Sequence, residues 1–142
     1  MPSPDDLIKA AQSEIGYREG PNNENKFADE AAHANHQPWC VTFIVAMAKR
    51  AQVALPETRT AAVATFRRAF EAQGRLHPEP AVGDVAFFQR GESHASIVAE
   101  VHGDGVVCVG GNYSGEVSVE RRRGPQGSRA TGYGRPDYAV LG

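Results

Sequence analysis

Cys40 stands where an apolar, helix-periodic run begins, directly after Pro38 and Trp39. A cysteine at a helix amino terminus meets unpaired backbone amides and the positive end of the macrodipole, which favour the thiolate. A thiolate is a nucleophile for covalent catalysis, and the Cys40 backbone amide with a second donor from Gln37 would suit an oxyanion. Trp39 is expected to line a substrate groove. By position alone, however, a free cysteine is more often a small buried hydrophobe than a nucleophile.

What moves the reading toward chemistry lies in the second half of the chain. A thiolate nucleophile needs a histidine to take and return a proton, best held on a rigid strand facing the helix end. His94 opens the run HASIVA, in which His94, Ser96 and Val98 alternate onto one face. The imidazole in turn needs an acceptor for its far nitrogen. Asn112 fits, because it follows the strand Val106–Val109, which a hairpin would bring back antiparallel beside His94. As a residue after two glycines, Asn112 also reads as an ordinary turn asparagine. Glu92, in a loop, and Glu100, too far along the strand, are poorer acceptors. His33, His36, His77 and His102 fall in helix ends or turns and read as solvated, with His36 near enough to Cys40 to rival His94. Cys108, flanked by valines, reads as structural, and a Cys40 to Cys108 disulfide, which would inactivate the nucleophile, stays open.

The elements that must position these groups follow from periodicity. Ser3, Pro4 and Asp6 predict a capped helix start, with Leu7, Ile8, Ala11 and Ile15 on one face. Residues 17–25 are rich in turn formers, and 26–32 predict a short helix. Val41, Ile44, Val45 and Ala48 predict a third helix from Cys40 to Arg50, and Val63, Phe66 and Phe70 a fourth that ends by Gly74. After Gly83 the period changes to two. Strands are predicted at 85–88, 94–101 and 106–109, with His102 to Gly105 as the hairpin turn, and weaker strands at 117–120 and 138–141. Helices first and an antiparallel sheet afterwards make an α+β domain, expected to be a single unit over residues 1–142.

The whole chain bounds the function classes. Its 142 residues are 41% hydrophobic and 23% charged, the profile of one globular domain. A formal charge of -2 disfavours a protein built to hold nucleic acid, and the basic run Arg121 to Arg123 reads as a solvated loop. The amino terminus carries two carboxylates and no apolar core, so neither a secretory signal nor an anchor is expected, and no stretch approaches the ~18 apolar residues of a membrane span. Two cysteines in unlike contexts offer no metal-binding CxxC pattern, so no metal is expected.

Three segments taken in order, PWCVTFIVAMAKRAQV, GDVAFFQRGESHASIVAEV and VVCVGGN, resemble the CHAP branch of the papain-like NlpC/P60 peptidases. IGYREGPNNENKFADEA is similar to the stretch before the cysteine in these proteins, and GYGRPDY to their closing strand. The resemblance implies a papain-like α+β fold, with amino-terminal helices packed on a carboxy-terminal antiparallel sheet, and hydrolysis of amide bonds in bacterial peptidoglycan, as an amidase or an endopeptidase. It places the nucleophile on Cys40, the base on His94 and the orienting group on Asn112. Some relatives carry a glutamate two residues before the asparagine, where this chain has Gly110, so the triad would rest on Asn112 alone. Some bind calcium through an aspartate-rich loop, whereas this chain offers Glu19, Asn22, Asn23, Glu24 and Asn25, which more often just make turns. No cofactor is therefore expected.

The expected partner is peptidoglycan, met by a monomer that reaches the wall without a leader of its own, as a phage lysin passing through membrane holes, in a phage particle or as a secreted antibacterial effector. Two other readings stay open: a wall-binding module whose cysteine site is inactive, and a papain-like thiol peptidase acting on proteins.

Overall fold

Ser3 accepts a hydrogen bond from the Asp6 amide at 3.3 Å, and its own amide donates to the Asp6 carboxylate at 2.9 Å, so the first helix opens on the capping box its sequence encodes. In the computed structural model, which describes residues 2–88, 93–124 and 130–138, this helix, α1, is Pro4–Gln12. It is followed by a 3₁₀ turn at Pro21–Asn23 and by α2 (Phe27–Ala31), α3 (Cys40–Ala51) and α4 (Val63–Ala72). The strands are β1 (Leu76–His77), β2 (Val85–Phe88), β3 (His94–His102), β4 (Gly105–Tyr113), β5 (Glu116–Arg123) and β6 (Ala130–Gly134). They form one antiparallel sheet in the order β1-β6-β2-β3-β4-β5. The expected α+β class is what the chain adopts.

Helix α3 holds the molecule together. Cys40 through Ala48 are all buried, because this helix is apolar on every side and lies between α1 and α2 on one flank and the faces of β3 and β4 on the other. Its side chains share one core with Leu7 of α1, Phe27 of α2, Phe66 and Phe70 of α4, and the inward residues Val85, Phe87, Ala95, Ile97 and Val109. The opposite face of the sheet carries a smaller cluster of Ala86, Phe88, Val98, Val106, Cys108 and Tyr133. Both clusters follow the period-two alternation of the strands. At the start of β2, Asp84 is buried and takes a two-pronged bond from Arg135 at 2.9 Å, which ties the end of the sheet to the chain after β6.

Several expectations shift. The hairpin turn before Gly105 forms, but β4 and β5 run longer than their apolar stretches. Arg121 to Arg123, read as a solvated loop, belong to β5, where alternation leaves Arg121 and Arg123 exposed and turns Arg122 onto the Glu120 face. Tyr138 lies in a turn, and 139–141, expected to complete a strand, lie outside the described residues, as does Glu92. The strand β6 instead comes from Ala130–Gly134. No helix among the described residues is long and apolar enough to cross a membrane.

Candidate active site

Cys40 is the first residue of α3 and follows Trp39 at the cap position, where no side chain caps the helix. The first-turn amides therefore keep their hydrogens for another acceptor. Cys40 is buried to 5% exposure and its thiol is free, as is that of Cys108, so the two form no disulfide. A cavity of about 740 Å³ opens beside Cys40 and is also lined by Gln37, His33 and the wall from Arg59 to Ala64. Gln37 spends one amide hydrogen on the Ala34 carbonyl at 3.1 Å and has a second to offer. Gln37 thus lines the cavity beside Cys40.

Trp39 does not line this cavity. Its ring is fully buried, stacked on Phe27 with centroids 5.6 Å apart and set edge-on to Tyr17. Its indole N–H donates to the Glu19 carboxylate at 2.8 Å. The expected groove aromatic is an anchor that fixes the segment entering Cys40, because a large aromatic next to an aromatic core gains more from burial than from exposure.

His94, at the start of β3, is 6% exposed, bonds Glu120 and lies within electrostatic reach of the Cys40 sulfur. Its Nε2–H donates to Glu120 Oε2 at 2.8 Å, so Nδ1 is the nitrogen left for the sulfur. Burial alone would drive the imidazole toward its neutral form. The interactions with Cys40 and with the Glu120 carboxylate outweigh that and hold its pKa up to about 9. His94 therefore carries a proton through the neutral range, ready to be given away.

The acceptor behind His94 is thus a carboxylate from β5 and not the expected Asn112. Asn112 sits at φ 60 within the register shift between Gly110 and Tyr113, and its side chain makes no hydrogen bond among the described residues. A left-handed bulge residue is a position asparagine tolerates, and the ladder between β3 and β4 ends at the Ile97–Val109 pair, short of His94 and Asn112. Glu120 pairs in register with Cys108, two residues before Gly110, and reaches His94 across that glycine. A Cβ on Gly110 would overlap the Glu120 carboxylate and lie 2.8 Å from Ser96 Cβ and 3.2 Å from His94 Nε2. Gly111 is bare for a second reason, since a Cβ there would lie 2.7 Å from both Phe43 and Trp39. The pair that reads as a turn signal is two close approaches.

Arg122 completes the arrangement. Its guanidinium donates to Glu120 Oε1 at 3.0 Å and lies 4.0 Å over the Phe88 ring and 5.4 Å from that of Tyr113. Each Glu120 oxygen thereby has one cationic donor, which fixes the carboxylate in place. The signal for Glu120 was present in the sequence as a short strand facing a glycine, but its value depends on strand register.

The rival histidines are committed elsewhere. His36 Nδ1 bonds the Asn22 carbonyl at 3.0 Å, and His102 pairs with Glu100 at 2.8 Å. His33 is not solvated as expected: its Nδ1 meets the Thr42 hydroxyl at 2.8 Å and its Nε2–H donates to the Thr58 carbonyl at 2.7 Å, pinning one wall of the cavity to α3. In the loop compared with calcium sites, Glu19 accepts from Trp39, the Asn25 side-chain amide donates to the Asn23 carbonyl at 3.1 Å and to Asn35 at 3.4 Å while its Oδ1 is buried without a partner among the described residues, and Glu24 folds back on Gly20. Among the described residues no group of three or more His, Cys, Asp or Glu side chains is gathered closely enough to hold a metal ion.

Together these groups make a cysteine on the wall of a cavity, a protonated histidine within its electrostatic reach and a carboxylate bonded to that histidine, with backbone donors at the helix start. That arrangement can form and resolve a thioester from an amide. No curated protein and no solved structure matches the chain. The family model of the CHAP domain matches residues 32–112, a stretch that includes Cys40 and His94 and stops short of Glu120. The chain belongs to the CHAP domain family, within the NlpC/P60-like cysteine peptidase and amidase superfamily, whose domains are hydrolases acting on peptidoglycan.

Proposed function

We propose that this chain hydrolyses an amide bond of peptidoglycan through a covalent thioester on Cys40, with His94 as the proton carrier and Glu120 as its orienting group. The observation that supports it most is the buried His94, bonded to Glu120 and held protonated by that carboxylate and by the neighbouring Cys40. The Cys40 sulfur attacks the carbonyl carbon, and the oxygen takes up the negative charge facing the Cys40 amide and Gln37. As the C–N bond breaks, His94 gives its proton to the leaving amine. The neutral imidazole then takes a proton from water, whose oxygen attacks the thioester. The C–S bond breaks, and a carboxylate leaves with the sulfur and histidine restored.

The test is release of new amines from purified sacculi. Cys40→Ala and His94→Ala should each lose it by a factor of at least about a thousand, judged by the scale seen when a member of a catalytic triad is removed. Wild-type release by either variant, with its fold intact, would overturn the assignment.

A further inference from the structure

Among the described residues that line the Cys40 cavity, Arg59 is the only one with a permanent charge. Its main chain is held from three sides. The Thr58 carbonyl accepts from His33, the amides of Arg59 and Thr60 both donate to the Glu57 carboxylate, and the Thr60 hydroxyl accepts from the Ala62 amide at 3.0 Å. Glu57 spends its bonded oxygen on those two backbone amides, and no side-chain partner engages the Arg59 guanidinium among the described residues. An exposed arginine on the cavity wall, with a pinned backbone and no partner on its guanidinium, is suited to an incoming carboxylate, which that planar group binds with two parallel hydrogen bonds.

We infer that Arg59 is a specificity-determining residue that binds a free carboxylate on the substrate peptide, close to the amide cut at Cys40. The inference rests on the proposed peptidoglycan reading and sharpens it: the preferred stem carries a carboxylate beside the scissile bond where an otherwise identical stem carries a carboxamide. His33 then has a positioning role, since it fixes Thr58 and with it the wall that carries Arg59.

Two matched synthetic stem peptides, one with the free α-carboxylate on its second residue and one with the carboxamide, provide the test with the full chain. The wild type should favour the carboxylate by about tenfold in kcat/KM, mostly through KM, as expected for one charged hydrogen-bonding contact near solvent. Arg59→Gln should bring the ratio near one, and Arg59→Lys should keep part of it. Equal cleavage by the wild type, or an unchanged preference in Arg59→Gln, overturns the inference. Should the wild type cut neither peptide, the cell-wall reading fails separately, and alkylation of Cys40 by iodoacetate against iodoacetamide decides the Arg59 assignment. A rate ratio that falls at least about threefold in Arg59→Gln then supports the anion site, and an unchanged ratio overturns it.

Discussion

Glu120→Gln removes the negative charge behind His94 while keeping an oxygen that can accept from Nε2. In the native protein that carboxylate lies 2.8 Å from the imidazole, with both side chains buried, and helps hold the histidine up to about 9. An opposite charge at this range shifts a pKa by about 1–3 units, so the His94 midpoint should fall to roughly 6–8 in the variant. At a midpoint near 7, only about a quarter of the molecules would carry the His94 proton at pH 7.5, against nearly all in the wild type. The glutamine also serves its neighbours badly. If its oxygen faces His94, its amide hydrogens face Arg122, which donates to Glu120 Oε1 at 3.0 Å in the native protein. Nitrogen-detected NMR titration of the ring reads the midpoint, and kcat/KM on sacculi against pH reads its consequence. The alkaline limb of activity, set near pH 9 by His94 in the wild type, should move down with the midpoint, and the rate at pH 7.5 should drop about tenfold or more. Asn112→Ala should leave both in place. A wild-type midpoint and limb in Glu120→Gln, or a shifted one in Asn112→Ala, would refute the placement of the carboxylate.

Gly110→Ala puts a methyl where the Glu120 carboxylate crosses to His94, so it should lower activity about tenfold or more and lower the His94 midpoint as Glu120→Gln does, which the same titration checks. Stability should depend on pH through the same histidine. Its folded pKa of about 9 lies above the ordinary 6.5, so the contribution is complete below about 6.5 and is lost as pH rises through about 9. The loss amounts to up to about 3 kcal/mol, and urea unfolding at pH 6 and pH 9.5 should show it in the wild type and not in His94→Ala. His33→Leu frees the Thr58 carbonyl and the Thr42 hydroxyl that now tie the cavity wall to α3, and should raise KM several-fold with little change in kcat, read by steady-state kinetics.

The helices were legible because their signals are local. Ser3 to Asp6 spell a cap, and the stripes through α3 and α4 repeat at a period the backbone itself imposes. Cys40 at a helix start and His94 at a strand start are likewise local facts, and the structure brings them together. The third member of the site was hidden because it depends on register. The ladder between β3 and β4 ends at the Ile97–Val109 pair, short of His94 and Asn112, and Asn112 falls in the bulge that β4 makes against β5. Glu120 becomes visible only once β5 is placed beside β4 and Gly110 is seen as an opening between strands. Trp39 was misplaced for a different reason: nothing in a tryptophan beside a cysteine says whether it faces the cavity or the core, and the partners that decide it, Phe27 and Glu19, come from distant parts of the chain. Periodicity passed over strand β6, which the likeness of GYGRPDY to a closing strand touches at Gly132–Gly134, because the strand owes its conformation to pairing with β1 and β2.

The central claim is that Cys40 cuts an amide of the wall polymer, and mass spectrometry of the fragments released from purified sacculi tests it most directly. With the wild type, each soluble fragment should end in a new amine or a new carboxyl group, one pair per cut, and Cys40→Ala should release none. Fragments that end only in sugar reducing ends, or the same amine and carboxyl termini from Cys40→Ala, would contradict it.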